Sequence, residues 1–291
     1  MSRRNLPHLA QRLFNVPLAI TPGKLEVVIA ALADRFGVSQ LFGANGQPMA
    51  FDSEWWDSPD AREARVDNGY DVIEGVAVIP VTGTLVAKLG SIRPWSGMTG
   101  YDSIRGALSI ALADPDVKAI AFDMESPGGE VSGCFDLVDA IYKARGEKPM
   151  WSILSESAYS ACYALASATD RIIVPRTGGV GSVGVICACV DFSRAMDKAG
   201  VQVELITFGE RKADGSEYRP LSKEARARFQ ADVDIMGNLF VDTVARNRGL
   251  DRAEVRNTEA STFMGANGVE IGFADEVMAP NDAFRALLDE I

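Results

Sequence analysis

The sequence predicts an α/β fold on a mostly parallel sheet with βαβ units, preceded by a small N-terminal helical segment. Two observations carry this. From Gly75 onward, short β-branched or apolar runs alternate with amphipathic stretches of helical spacing, the signature of strands joined by helical crossovers. No window approaches the roughly 18 uninterrupted apolar residues of a membrane-spanning helix. In order, GVAVIPVTGTL (75–85) is a buried strand, 101–113 a helix and KAIAFDM (118–124) a strand. SPGG (126–129) is a turn, and 131–145 is a helix with Val131, Phe135, Val138 and Ile141 on one face. MWSIL (150–154) is a strand, 158–169 an alanine-rich helix, and RIIVP (171–175) a strand. Residues 193–199 are helical, VELITF (203–208) is a strand and 221–247 a long helix. Right-handed crossovers put the strand C-termini, and with them the site, along one edge.

Before Gly75 the texture differs. Residues 23–37 carry Leu25, Val28, Ile29, Leu32 and Phe36 at helical spacing and end at Gly37. Residues 43–72 are rich in Gly, Asn, Asp, Glu and Pro around Trp55 and Trp56, a linker or loose strap. The organisation expected is an arm over 1–42, a linker over 43–72 and a main domain over 73–291.

A length of 291 residues suits one or two domains. With 29 basic and 40 acidic residues the net charge is −11, unsuited to nucleic acid or to an anionic membrane surface. The one histidine, His8, lies near the start, where side chains are mostly solvated. A hydrolase built on this chain would need another base. Cys134, Cys162, Cys187 and Cys189 form no C-x-x-C pair or zinc pattern, and three lie in apolar runs. They read as small buried hydrophobes in a reducing compartment. Arg3 and Arg4 precede LFNVPLAI, which is short and broken by Asn15 and Pro17, so no signal peptide is assigned.

Four segments could carry chemistry. Ser126-Pro127-Gly128-Gly129 follows a strand, and its glycines could aim amide N–H groups at a developing oxyanion; the plain alternative is a strand-to-helix turn. Ser160 begins a helix of small residues, where the Ala161 amide could serve as its oxyanion donor. The plain alternative is a helix-capping serine, and Ser155 and Ser157 compete with it. Lys212 lies in a polar loop, where lysine is usually solvated; as a general base it would need desolvation. Gly179-Val180-Gly181-Ser182-Val183-Gly184 matches G-x-G-x-x-G, but the following Val185, Ile186 and Val190 favour a strand over the helix that a dinucleotide site requires. Asp123, Glu125 and Glu130 gather near SPGG without the spacing of a catalytic pair.

The order of these pieces is more specific than any one of them. Strand–SPGG, then YSACYALASATDRI, then GSVGV, then FGERKADG, with MGANGVEIGFADEV (264–277) later, resembles the serine–lysine peptidases of the signal peptide peptidase A type. Their fold is shared with the Clp protease and crotonase families. The likeness spans about 72–279. NLPHLAQRLFNVPLAI and GTLVAKLGSIRPWSGMTGYDSI (83–104) extend it towards the head-maturation proteases of lambdoid tailed phages. The resemblance implies Ser160 as nucleophile and Lys212 as general base. It implies oxyanion donors at Gly129, with Gly128, and Ala161, and a substrate-lining role for the segment with Gly181 and Ser182. Many relatives have Gly-Gly after the nucleophile where this chain has Ala161-Cys162.

No metal or other cofactor is implied. Ala158, Ala161 and Ala164 leave room for a substrate backbone and suggest a preference for small side chains. The phage likeness implies polypeptide partners (scaffold, portal and capsid proteins), a homo-oligomer, and a location in the host cytoplasm inside the procapsid. It implies no nucleic acid and no membrane insertion. Lambda-type chains continue into a scaffold-like extension, which here would be a separate protein or chain beyond these residues. Competing readings are an inactive protease-fold assembly factor, a bacterial membrane-associated signal-peptide peptidase and a crotonase-type acyl-CoA enzyme.

Overall fold

A computed structural model describes residues 13–25, 28, 69–89 and 97–291. Two sheets are joined where the chain passes from Ser126 to Gly128. The larger runs through β2 (Asp71–Ile73), β3 (Val76–Thr82), β6 (Ala119–Ser126), β8 (Met150–Tyr159), β10 (Gly179–Gly181) and β12 (Thr262–Met264), in the spatial order β12-β10-β8-β6-β3-β2. β3, β6, β8 and β10 are parallel, and the two ends are antiparallel. β8 is long enough to pair twice along one edge. Its first half meets β9 (Arg171–Val174), which is followed in the sheet by β13 (Glu276–Val277), and its last three residues meet β10.

The alternation of side chains along a strand divides the core. Val76, Ala119, Ala121, Trp151, Ile153 and Ile173 face α8 (Pro280–Leu288) through Ala283 and Leu287. Ile79, Ile120, Phe122 and Met124 face the opposite layer. That layer holds α1 (Tyr101–Ala113), α2 (Cys134–Lys143), α3 (Ala161–Ser167) and part of α5 (Lys223–Arg248). Pro80 is tolerated because β2 pairs only with Val76–Val78, leaving the Pro80 side of the strand edge free of a ladder.

The smaller sheet has the order β11-β1-β7-β4-β5, with β1 Pro17–Ile20, β4 Thr84–Val86, β5 Met98–Gly100, β7 Gly128–Glu130 and β11 Ile186–Cys187. β1 is antiparallel to both of its neighbours.

Helix 101–113 forms as expected. Helix 131–145 starts later, at Cys134, because Gly133 takes a left-handed conformation at its cap. The strand expected at 203–208 does not form: residues 201–207 have no regular structure and are exposed, with Ile206 92% and Phe208 103% accessible. Their spacing suits a strand, but the described residues offer them no partner edge. SPGG is less a turn than a strand change, since Gly128–Glu130 pair as β7. Of the helix expected at 23–37, residues 22–25 and 28 are described and helical. The rest, like His8 and residues 43–68 of the expected linker, lies outside the described residues. Pro17–Ile20, within the expected arm, and Asp71–Val72, at the end of the expected linker, pair directly with strands of the main domain. Among the described residues no helix is long and apolar enough to cross a membrane.

Candidate active site

β8 ends at Tyr159, α3 begins at Ala161, and Ser160 stands between them at φ 53°, ψ −120°. A positive φ at a non-glycine residue stores roughly 1–3 kcal/mol and persists only where the surroundings enforce it. Here they do: the Ser160 amide donates to the Gly181 carbonyl at 2.8 Å, and its own carbonyl accepts the first helical bond from Ala164 at 2.9 Å. A capping serine would accept a bond from an amide in the first turn. Ser160 makes no such bond, and its Oγ is buried with no hydrogen-bond partner among the described residues. At 1% exposure, a hydroxyl without a partner forgoes about 1–3 kcal/mol. Those costs suit a side chain held for reaction rather than for capping.

The glycines of SPGG are where they are because nothing larger fits. A methyl group on Gly128 would stand 2.3 Å from the Ala19 carbonyl oxygen, 2.9 Å from Ser160 Cβ and 3.1 Å from the Ala161 nitrogen. On Gly129 it would stand 1.8 Å from the Leu85 carbonyl oxygen. The SPGG backbone therefore lies against the Ser160 turn. The Gly128 amide donates to Ser126 Oγ at 3.1 Å, and that hydroxyl donates to the Gly83 carbonyl at 2.6 Å. The Gly128 amide is thus held by Ser126, while the ladder with β1 turns the Gly129 amide towards Ala19. Gly181 backs the turn, and Ser182 bonds away from it. Gly181 accepts from Ser160, and the Ser182 amide donates to the Ser261 carbonyl at 2.8 Å.

The segment 264–277 buttresses this turn. Phe273 stacks on Tyr163 with ring centroids 4.9 Å apart, and the Tyr163 hydroxyl donates to the Phe273 carbonyl at 3.1 Å. The far end of α3 is held by Arg145, whose guanidinium donates to the carbonyls of Ser167, Ala168, Thr169 and Asn247. The carboxylates near SPGG have structural partners: Glu130 accepts the Ala87 amide at 2.6 Å, and Asp123 accepts the Ser155 hydroxyl. Ser155 is thus engaged, which sets it apart from Ser160.

Lys212 lies in a 3-10 turn, Glu210–Ala213, directly after the exposed 201–208 stretch. The turn is pinned by Asp214 on Arg228 at 2.6 Å and by Arg219 donating to the Ala213 carbonyl at 2.9 Å. The Lys212 side chain is exposed, and it is not hydrogen-bonded to Ser160. One chain therefore brings together Ser160, Ala161, Gly128, Gly129 and Gly181, but not Lys212.

Burial accounts for two of the cysteines. Cys134 and Cys162 are fully enclosed, which pushes the Cys134 thiol up to about 12 and the Cys162 thiol higher. Cys187 is half-buried, and burial together with the neighbouring Cys189 raises it to about 11. The thiolate is the reactive form, so a raised pKa delays reaction to higher pH. Native protein at pH 8 should therefore label slowly at Cys187 and not at Cys134 or Cys162. The Cys187 rate should climb about tenfold per pH unit towards 11. Mass-resolved labelling with a maleimide checks this; rapid modification of Cys134 in folded protein would contradict it.

A strained serine at a strand-to-helix turn, set against paired glycines on this α/β fold, defines a serine-hydrolase class of site. The chain matches peptidase family S49 over residues 143–290, and it belongs to that family. It is 39% identical to the head-tail preconnector protein GP5 of Enterobacteria phage P21, over 98% of this chain and 58% of that protein. It is 37% identical to the capsid assembly protease C of Escherichia phage lambda, over 99% of this chain and 66% of that protein. Protease 4 of Haemophilus influenzae is 26% identical over 84% of this chain and 39% of its own length. The chain thus spans 58% and 66% of the length of its two phage relatives.

Proposed function

We propose that the chain is a serine endopeptidase of phage capsid assembly, with Ser160 as nucleophile and Lys212 as general base. The observation that carries this is the buried, strained and unpartnered hydroxyl of Ser160 beside Gly129 and Ala161. Ser160 Oγ attacks the scissile carbonyl, and the Gly129 and Ala161 amides receive the oxyanion. Neutral Lys212 takes the hydroxyl proton, passes it to the leaving amine and then activates the water that hydrolyses the acyl-enzyme. The likeness to a capsid assembly protease supports substrates among the scaffold, portal and capsid proteins, met in the host cytoplasm inside the procapsid.

Exposure of Lys212 and of the strand-like apolar stretch Val201–Phe208 supports a homo-oligomer in which that stretch pairs with another copy. Lys212 then reaches a neighbour's Ser160. Ser160→Ala and Lys212→Ala chains, each inactive alone, should regain about one quarter of wild-type activity when mixed equally and allowed to exchange, the share expected for random association of copies around a shared site. The readout is hydrolysis of a scaffold or portal protein. Wild-type turnover with no recovery in the mixture would place the dyad within one chain. No turnover by wild-type protein would favour an assembly factor without catalysis.

A further inference from the structure

The strand β1 lies where an extended substrate would lie. β7 carries Gly129 and has two edges; one is taken by β4, through Leu85 opposite Gly129. The other is taken by β1, with Leu18 opposite Glu130, Ala19 opposite Gly129 and Ile20 opposite Gly128. On its far side β1 pairs with β11, Pro17 opposite Cys187 and Leu18 opposite Ile186. A polypeptide that adds as a strand beside Gly129 can do so only in the gap that β1 fills.

The register within that gap is specific. The Thr21 amide donates to the Pro127 carbonyl at 3.0 Å. Hydrogen-bonded pairs alternate along an antiparallel ladder, so two residues on, Ala19 and Gly129 form the next bonded pair, and the Gly129 amide faces the Ala19 carbonyl. That carbonyl oxygen is the atom nearest a methyl placed on Gly128, and the next two are Ser160 Cβ and the Ala161 nitrogen. The Ala19 carbonyl thus stands among the groups assigned to nucleophile and oxyanion. Leu18 and Ile20 point the other way, into a small apolar cluster with Leu25 that is separate from the main core.

We infer that β1 is the chain's own first substrate, and that the bond it presents to Ser160 is Ala19–Ile20. The inference rests on the peptidase reading above. Ser160 Oγ bonds to the Ala19 carbonyl carbon as the bond to the Ile20 nitrogen breaks, and the hydroxyl proton passes through Lys212 to that nitrogen. Water then splits the ester, leaving a carboxylate on Ala19 and returning a proton to Ser160 Oγ. The products are residues 1–19 and a chain beginning at Ile20, with the groove open. The same register describes later substrates: extended segments with a small residue opposite Gly129 and apolar neighbours on either side.

The test follows full-length protein by intact mass and N-terminal sequencing while it hydrolyses casein. Wild-type chains should acquire an Ile20 N-terminus. Casein hydrolysis should begin about tenfold below its final rate, as when roughly one groove in ten is open, and rise as residues 1–19 leave. Ser160→Ala should stay whole. Ala19→Ser should behave as wild type. Ala19→Trp cannot seat beside Gly129, so it should escape cutting at that bond and hydrolyse casein without a lag; Leu18→Asp, which loosens β1 from its cluster, should also shorten the lag. Ser160-dependent casein hydrolysis at full rate with residues 1–19 still attached would overturn the inference and leave the peptidase reading standing. So would a folded Ala19→Trp slower than wild type. Absence of hydrolysis by every variant, including Ala19→Trp, would overturn both.

Discussion

Ser160→Ala should abolish proteolysis, with a loss of roughly 10⁴–10⁶ in rate, the range seen when an acyl-forming nucleophile is removed. The fold should not suffer. The Ser160 hydroxyl makes no hydrogen bond among the described residues, so its removal breaks none of theirs and takes away a buried polar group without a partner there, a change that is neutral or favourable. The turn is held by backbone bonds to Gly181 and Ala164, which alanine keeps. The melting temperature should therefore stay level or rise slightly while cleavage of a scaffold or portal protein disappears. Undiminished cleavage by the variant would remove Ser160 from the mechanism. Lost cleavage with a sharp fall in melting temperature would assign it a structural role.

Lys212→Arg should be as inactive as Lys212→Ala. A general base must give up its own proton before it can take another, and a guanidinium stays charged at any working pH. Loss of a positioned general acid–base costs roughly 10²–10⁴. Both variants should fold, because the turn is pinned by Asp214–Arg228 and Arg219 rather than by the exposed Lys212 side chain. His8→Ala should cleave at the wild-type rate, since a serine–lysine pair leaves no step for an imidazole. The three variants compared on one substrate decide the matter. An active Lys212→Arg, or an inactive but folded His8→Ala, would refute the serine–lysine chemistry.

Local pattern reached some of this architecture and not the rest. The helix 101–113 and the strands read at 118–124 and 150–154 follow from side-chain periodicity, although the second strand runs on to Tyr159, through residues 158 and 159 that read as the start of a helix. Ser160 was visible only through its place in an ordered set of motifs; its strain and its lone hydroxyl belong to three dimensions. VELITF reads as a strand because its residues suit one, yet a strand needs an edge, and none among the described residues receives it. The pairing of PLAI with SPGG lay beyond reach for the converse reason. Neither segment has a long pattern of its own, and their contact joins residues more than a hundred positions apart. The irregularity that brings Ser126 opposite Ala158, with β8 advancing four residues while β6 advances two, likewise leaves no local pattern.

Arg145 gives the site a dependence that its distance from Ser160 would not suggest. α3 has seven residues, about two turns, too few to keep its own direction by hydrogen bonding alone. One end carries Ser160; the other is clamped by a guanidinium that gathers its last carbonyls and ties them to Asn247 in α5. A rod fixed at its tail aims its tip, so an error of angle at Arg145 becomes an error of position at Ser160. The placing of the Ser160 hydroxyl is therefore set partly at the back of the molecule, by a residue at the opposite end of the helix.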